Sequence, residues 1–293
     1  MKKTIIKIIS SFILNKEKRK EFRLKLKQKY LVQDTSSMKI GVGYSVWDGE
    51  ELLEASIKSI RNHVHYICVV WQEESWKGQK CNKGLKEFLE VLKKEKLIDE
   101  IIFYPHKGIA YNPTKKEREK RNIGLRYALK NKCNYFMTMD TDEFYYADEF
   151  EKAKQTILKK GASHTACPLY NYWKSPQYRE RDFSLLSVPF IYKINENSKF
   201  KKMEKFPAHA DATRHIPLKT NDHFFFLTDI AMHHMSYIRN DLEKKLKNAS
   251  TGSDGRNKIL IEKYKNINEK TLEKYELIKV KNIFGIEVDN EKA

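Results

Sequence analysis

The sequence predicts an α/β protein built on a mostly parallel central sheet. Four apolar segments typical of strands, at 39–46, 65–71, 99–104 and 135–139, alternate with segments typical of helices, at 50–62, 83–96 and 115–131. Such alternation is typical of consecutive βαβ units, which cover both faces of a parallel sheet with helices. With 293 residues the chain is long enough for one large core.

The elements follow from local signals. The segment 47–51 predicts a turn into a helix that ends near Arg61. Pro113 and Thr114 are start signals for the third helix, whose apolar positions are Ile123, Leu125, Ala128 and Leu129. After residue 160 the pattern changes to aromatic-rich pieces at 166–173, 183–194 and 224–227, and charged helices return from Arg239. We therefore expect a basic N-terminal segment at 1–37, an α/β domain at 38–238 and a helical C-terminal region at 239–293.

Composition excludes several classes of protein. Charged residues make up 33% and aromatic residues 12% of the chain, which is typical of a globular protein with a heavily charged surface. The four cysteines form no Cys-x-x-Cys pair, so we expect reduced thiols in the cytosol and no zinc cluster. No nucleic-acid-binding module is recognisable, so the basicity does not indicate a nucleic-acid partner.

The N-terminal segment carries much of the positive charge. Residues 1–30 contain eleven Lys or Arg and two Glu, which is half of the net charge of +18, and seven apolar residues lie at 5–14. This pattern predicts a basic amphipathic helix on an anionic membrane surface. It is too short to span a bilayer and lacks a signal-peptide cleavage site. The alternative is a helix packed on the α/β domain with a solvated basic face.

Three acids follow the fourth predicted strand. Asp140, Asp142 and Glu143 end the apolar segment 135–139, at the sheet edge where α/β proteins bind ligands. Carboxylates this close together repel one another, and a divalent cation is the common compensation. The alternative is that Asp140 or Asp142 is a turn residue or a cap for the helix expected at 148–159.

Three features carry a resemblance to a known family: these acids, the preceding Arg121-Asn122-Ile123-Gly124 on the third helix, and the first strand–turn–helix unit. The chain resembles family-2-like bacterial glycosyltransferases with the GT-A fold, a Rossmann-like fold with an Asp-x-Asp motif. The resemblance covers roughly residues 38–150. It implies transfer of a sugar from a nucleotide-sugar donor, with UDP favoured by family frequency. It also implies that the first strand–turn–helix unit receives the nucleoside, and it places five residues at the donor site: Val46, Asp48, Arg121, Asp140 and Thr141.

The resemblance also implies a metal site. Several enzymes of this fold supply a late histidine as a metal ligand in a His-x-Ser context, which His234 matches through Ser236. We therefore expect Asp142 and His234 to bind Mn²⁺ or Mg²⁺, with Mn²⁺ favoured by the softer imidazole ligand. Adjacent residues on a strand point to opposite faces, so only one of the two histidines meets the ion, and His233 is the alternative.

The remaining site residues concern the acceptor. Asp211 is the expected base that removes the acceptor proton, and Glu180 and Asp182 compete with it. Trp173 is the expected acceptor platform, although a core strand would look similar. A glycan or lipid-linked acceptor of lipopolysaccharide type, at the inner face of the cytoplasmic membrane, would suit the N-terminal segment.

Two other classes of function explain part of the sequence. A nucleotidyltransferase or phosphotransferase would share the sheet and the acids, but the Gly41-Val42-Gly43 segment is too short for a phosphate loop. A non-catalytic lipid- or nucleic-acid-binding protein would leave the acids and histidines without a role.

Overall fold

The computed structural model describes residues 18–19, 34–203, 205–249 and 254–287. The amphipathic segment expected at 1–37 therefore lies largely outside the described residues. No helix in the described part of the chain is long and apolar enough to span a membrane. The strands are β1 (Ile40–Val46), β2 (Tyr66–Trp71), β3 (Glu100–Phe103), β4 (Tyr135–Met139), β5 (Glu143–Phe144), β6 (His164–Trp173), β7 (Tyr178–Glu180), β8 (Ser187–Lys193), β9 (Phe224–Phe226), β10 (Met232–Tyr237) and β11 (Leu277–Lys279).

Six α-helices complete the described chain. They are α1 (Glu50–Ile60), α2 (Leu85–Lys94), α3 (Pro113–Lys130), α4 (Ala147–Lys160), α5 (Leu242–Asn248) and α6 (Asp254–Asn266). The predicted alternation of strands and helices up to residue 160 is confirmed, because each predicted element is present within about two residues of its expected bounds. The region from Arg239 is less helical than expected, since β11 lies within it and pairs antiparallel with β7.

The central sheet is largely parallel, as predicted. Its order is β11-β7-β6-β8-β4-β1-β2-β3, and the four neighbouring strands β4, β1, β2 and β3 run parallel. The chain moves outward from β1 to β3 and then returns through α3 to β4 on the other side of β1. Strand order therefore reverses between β1 and β4, and such a reversal opens a crevice at the carboxyl ends of the strands.

Two apolar layers cover the sheet. Leu53 and Ile57 of α1 pack on one face in a core cluster with residues of α2 and α4, and Leu125 and Ala128 of α3 pack on the other. Helix α3 lies unusually close to β1, since a Cβ placed on Gly124 would be 3.2 Å from the Cα of Gly43. The glycines of the Gly41-Val42-Gly43 segment thus serve close contact between helix and strand.

Strand β10 completes the architecture around the acids. It pairs antiparallel with β5, which places His234 opposite Glu143, and parallel with β6. The backbone N–H of Met235 also donates to the carbonyl of Asp142, at 2.7 Å. The late histidines are thereby brought beside the acids that follow β4.

Candidate active site

The acidic turn lies at the carboxyl end of β4, as predicted. Asp140, Thr141 and Asp142 form a turn between β4 and β5, and Glu143 begins β5. The side chain of Glu143 turns back and accepts from the backbone N–H of Asp140 at 3.2 Å. Asp142 and Glu143 are only 3% and 2% exposed, so their charges need partners within the protein.

Two arginines compensate Asp140 and Glu143. Arg214 donates to Asp140 Oδ2 at 2.6 Å, to Glu143 Oε2 at 3.0 Å, and to Glu143 Oε1 through a closer contact. Arg121 donates to Asp140 Oδ1 at 3.3 Å and to the Thr138 hydroxyl at 2.7 Å. Although burial opposes it, these two arginines hold the pKa of Asp140 below its usual range.

Two further cations compensate Asp142. Lys245 Nζ, on α5, donates to Asp142 Oδ2 at 2.7 Å, and Arg239 Nη2 donates to the same oxygen at 3.3 Å. Burial raises the pKa of Asp142, but Lys245 and Arg239 outweigh it and hold that pKa well below the usual range. Asp142 is therefore a carboxylate at neutral pH.

Helix α3 brings Lys120 and Arg121 to the carboxyl ends of the parallel strands, where the acidic turn lies. The helix begins at Pro113, and the side chain of Asn112 caps it by accepting from the backbone N–H of Lys115 at 3.0 Å. Lys120 Nζ donates to the carbonyl of Val46, at the end of β1, at 3.1 Å. Burial lowers the pKa of Lys120 to about 7.

A cleft opens at this edge of the sheet. Its volume is about 290 Å³, and its walls combine aromatic and amide side chains with charged ones. The residues that line it are Ser45, Trp47, Asp48, Gln72, Ser75, Trp76, Glu117, Lys120, Arg121, Asp140, Thr141, Asp142, His234, Ser236, Arg239, Lys245, Asn248 and Ala249. Six predicted site residues thus meet in one cleft: Asp48, Arg121, Asp140, Thr141, Asp142 and His234.

Val46 contributes differently from the other predicted donor residues. Its side chain is fully buried and it does not line the cleft, but its carbonyl accepts from Lys120, which does. Asp48 is held by Lys244 at 3.4 Å, and its carbonyl accepts from the Thr141 hydroxyl at 3.3 Å. The turn after β1 is therefore tied directly to the acidic turn after β4.

The two histidines occupy opposite faces of β10, as expected for neighbours on a strand. His233 is 1% exposed, lies against the ring of Tyr146 and shares a hydrogen bond with the Tyr172 hydroxyl at 2.8 Å. His234 lines the cleft instead, and its Nδ1 lies 3.1 Å from Asn171 Oδ1, an acceptor. Burial lowers the pKa of His234 to about 4, so its neutral ring donates from Nδ1 and turns the lone pair of Nε2 into the cleft.

The expected metal ligands offer a small donor set. His234 Nε2 lies 3.8 Å from Asp142 Oδ1, a separation that one ion at about 2.1 Å from each atom would bridge. The other oxygen of Asp142 is already bound by Lys245 and Arg239. Within the described ranges, no group of three or more His, Cys, Asp or Glu side chains is arranged to hold an ion. These residues therefore do not fit a divalent cation held by the protein alone, and the Mn²⁺ or Mg²⁺ cofactor stays a prediction.

Asp211, the expected base, lies behind the cleft rather than in its lining. It caps the short 3₁₀ helix Ala212–Arg214 by accepting from the backbone N–H of Thr213 at 2.8 Å and from its hydroxyl at 2.6 Å. Arg121 and Arg214 lie 3.7 and 3.6 Å away, and they hold the pKa of Asp211 low against the effect of burial. A low pKa makes a weak base. Its contacts make Asp211 a residue that positions the two arginines.

The competing bases are also placed by the structure. Glu180 accepts from Asn171 at 2.8 Å and from the indole N–H of Trp173 at 3.0 Å, so both of its oxygens are engaged. Asp182 is an exposed residue that does not line the cleft.

Trp173 corrects the expectation of an acceptor platform. Its residue is 3% exposed, its ring stacks on Tyr237 with 4.0 Å between centroids, and Lys263 Nζ lies 4.0 Å from the ring centroid. Ile267 and Leu277 complete this small core. The ring offers no open face to a sugar, because β6 carries it into a second core rather than to the cleft.

Sequence reasoning missed four basic residues at the site, namely Lys120, Arg214, Arg239 and Lys245. Lys120 had a signal, since it directly precedes the Arg121 motif on the same helix. The other three are single members of a set of 57 Lys and Arg, and nothing local distinguishes them. Arg214 lies 74 residues from Asp140, and Lys245 lies 103 residues from Asp142.

No protein-family model matches the chain, and no curated protein matches it. Among solved structures, the chain is similar to S. aureus TarS at 12% identity and a TM-score of 0.41, over 78% of this chain and 43% of TarS. It thus spans less than half of that protein. Two structures of TarS 1–349 are also similar. The complex with UDP has 10% identity and a TM-score of 0.39, over 81% of this chain and 78% of that one. The complex with UDP-GlcNAc has 15% identity and a TM-score of 0.37, over 78% and 72%.

Proposed function

We propose that this protein is a glycosyltransferase that takes a sugar from a nucleoside-diphosphate donor. The observation that carries this proposal is the mixed lining of the cleft. Trp47, Trp76 and Gln72 offer flat rings and an amide, and Arg239 and Lys245 offer positive charge. A nucleoside diphosphate has both chemistries in one molecule, a planar base and a multiply charged diphosphate.

Gln72 supports the nucleoside part of the proposal. Its residue is 1% exposed, its amide nitrogen donates to the carbonyl of Glu74 at 2.7 Å, and its Oε1 has no partner among the described residues. A buried acceptor without a partner is costly, so a small shift of the Gln72 side chain that brings Oε1 to a donor group on a bound base would be favourable. The N–H or NH₂ groups on the edge of a nucleobase supply such a donor.

The proposed chemistry follows from the charges. Attack by an acceptor hydroxyl forms the new glycosidic bond at the anomeric carbon, and the bond from that carbon to the diphosphate oxygen breaks. The electron pair stays on the diphosphate, where Arg239 and Lys245 in the cleft lining face the developing charge. The acceptor proton leaves to a base, for which neither Asp211 nor Glu180 is free in this arrangement.

The acceptor and the location are proposed from sequence alone. We infer a glycan or lipid-linked acceptor at an anionic membrane surface, and a UDP-sugar as donor. The support is the apolar and basic pattern of residues 1–30 and the family resemblance of the Asp-x-Asp segment.

Hydrolysis of nucleotide sugars in the absence of an acceptor tests this function. UDP-sugars should release free sugar and UDP, and Asp142→Asn should lose most of this activity. Asp148→Asn is the matched control, because that side chain is 74% exposed on α4. Release of UMP and sugar phosphate would indicate nucleotidyl chemistry instead. No release from UDP-, GDP- or CMP-sugars would contradict the proposal.

A further inference from the structure

The acids of the candidate site already have positively charged partners within the protein. Asp140, Asp142, Glu143 and Asp211 are in contact with four cations, which are Arg121, Arg214, Arg239 and Lys245. A site that attracts a divalent cation usually keeps an excess of negative charge. At the expected ion site, Asp142 alone faces two of these cations, Arg239 and Lys245, so that excess is missing there.

Two of these cations are placed to meet a ligand. Arg239 and Lys245 both line the cleft, beside Asp142. Arg239 has donors to spare, because its buried Nε has no partner within the described part of the chain. Its Nη1 reaches the carboxylates of Asp48 and Glu51 only at 4.0 Å, beyond hydrogen-bond distance. An anion in the cleft would give Nη1 a hydrogen-bond partner.

We propose that Arg239 and Lys245 bind the diphosphate of the donor directly, and that donor binding needs no divalent cation. This inference rests on the proposed function and names how its leaving group is held. Asp142 is then a positioning residue, which holds the guanidinium and the ammonium side by side through one oxygen. Ser236 contributes to the same arrangement, since its hydroxyl and its carbonyl both accept from Lys245.

Electrostatics favours this arrangement over an ion at Asp142 Oδ1. A divalent ion there would be separated from Lys245 and Arg239 only by the width of one carboxylate. Two positive side chains at that distance repel the ion in a partly desolvated cleft, where screening is weak. A diphosphate meets the same two side chains with opposite charge, and an arginine fork matches phosphate oxygens in geometry.

Calorimetric titration of the full-length protein with UDP, GDP and CDP tests the inference. We expect one of them to bind in the presence of a chelator, with a dissociation constant that changes less than about threefold when Mn²⁺ replaces the chelator. Lys245→Met should weaken binding roughly 10- to 100-fold, the range for losing a hydrogen bond to a charged group. Lys245→Arg should retain most of it. Lys247→Met is the matched control, since Lys247 is exposed on the same helix, and it should bind like the wild type.

The outcomes separate this inference from the proposed function. Binding that occurs only with Mn²⁺, or wild-type binding by Lys245→Met in chelator, overturns the inference and leaves the glycosyltransferase proposal standing. The absence of nucleoside-diphosphate binding in both conditions, together with no sugar release, overturns both. The comparison of chelator with Mn²⁺ uses the wild type, so it decides the question even if Lys245→Met does not fold.

Discussion

Removal of Arg214 should destabilise the protein strongly, because it leaves Glu143 buried without a counterion. The Arg214 side chain is 5% exposed and that of Glu143 is 2% exposed, and the guanidinium binds both oxygens of the carboxylate. Breaking a buried ion pair by removing one partner costs about 3–5 kcal/mol. Arg214→Met keeps much of the apolar volume, so this cost should arise mainly from the lost charge.

Urea-induced unfolding followed by tryptophan fluorescence measures the effect. At pH 7 the midpoint of Arg214→Met should fall by an amount equivalent to about 3–5 kcal/mol, at unchanged m-value. Arg126→Met is the control, because that exposed arginine makes a single bond to the Glu196 carbonyl at 3.0 Å, and its cost should stay within about 0.5 kcal/mol. Adding Glu143→Gln to Arg214→Met should restore part of the loss, since the carboxylate charge is then gone.

The dependence on pH provides a second check. Burial raises the pKa of Glu143 to about 7 even with Arg214 beside it, and loss of Arg214 should raise that pKa further. A folded state with a raised carboxyl pKa is favoured below the unfolded value of about 4.3, and it loses stability as the pH rises through the raised value. The deficit of Arg214→Met should therefore be smaller at pH 5 than at pH 8. A cost below about 1 kcal/mol, or an equal cost at both pH values, would refute this reasoning.

Three other outcomes are expected. At pH 7.5, Lys120 should react selectively with an acylating reagent, and bound UDP should protect it. The reason is that a lysine with a pKa of about 7 is roughly three-quarters unprotonated at this pH, whereas an ordinary lysine is about 0.1% unprotonated. Peptide mapping that finds no preference for Lys120 over surface lysines would contradict this. Gly49→Ala should weaken UDP binding in calorimetry, because φ of Gly49 is +92° and the added Cβ would collide with the Arg239 guanidinium. The control is Gly161→Ala, where φ is +63° and the added Cβ has no neighbour, so it should lower stability without affecting binding. Trp173→Ala should lower the free energy of unfolding by about 3–5 kcal/mol and leave donor hydrolysis by the folded protein unchanged; a selective loss of hydrolysis would return this residue to the site.

The order of the elements was predictable because it depends on local patterns. Alternating apolar segments predict the parallel strands, and Pro113 and Thr114 mark the start of α3. The acids after β4 were also placed correctly, since the carboxyl end of a buried strand is a fixed point in such sheets. Their partners were not, because Arg214, Arg239 and Lys245 arrive from distant segments through tertiary packing.

The misassignment of Trp173 has a similar cause. Strand periodicity shows that a side chain is buried on one face of a sheet, but it does not show what lies against that face. Tyr237 and Lys263 cover the ring from segments 64 and 90 residues away in sequence. Asp211 was expected to be the base, yet its neighbours make it a cap for Thr213 and a support for two arginines.

The close approach of α3 to β1 at Gly124 and Gly43 restricts which substitutions this protein tolerates. A Cβ added to Gly124 would lie 3.2 Å from the Cα of Gly43, so the helix that carries Lys120 and Arg121 would have to shift. A Cβ added to Gly43 would also come within 2.9 Å of the Phe136 ring. The opposite face of the sheet is filled by aliphatic and aromatic side chains, where a smaller side chain can be compensated by a larger neighbour. Substitutions, whether they arise in evolution or by design, should therefore be tolerated more often in the core between the sheet and helices α1 and α4 than at the contact between α3 and β1.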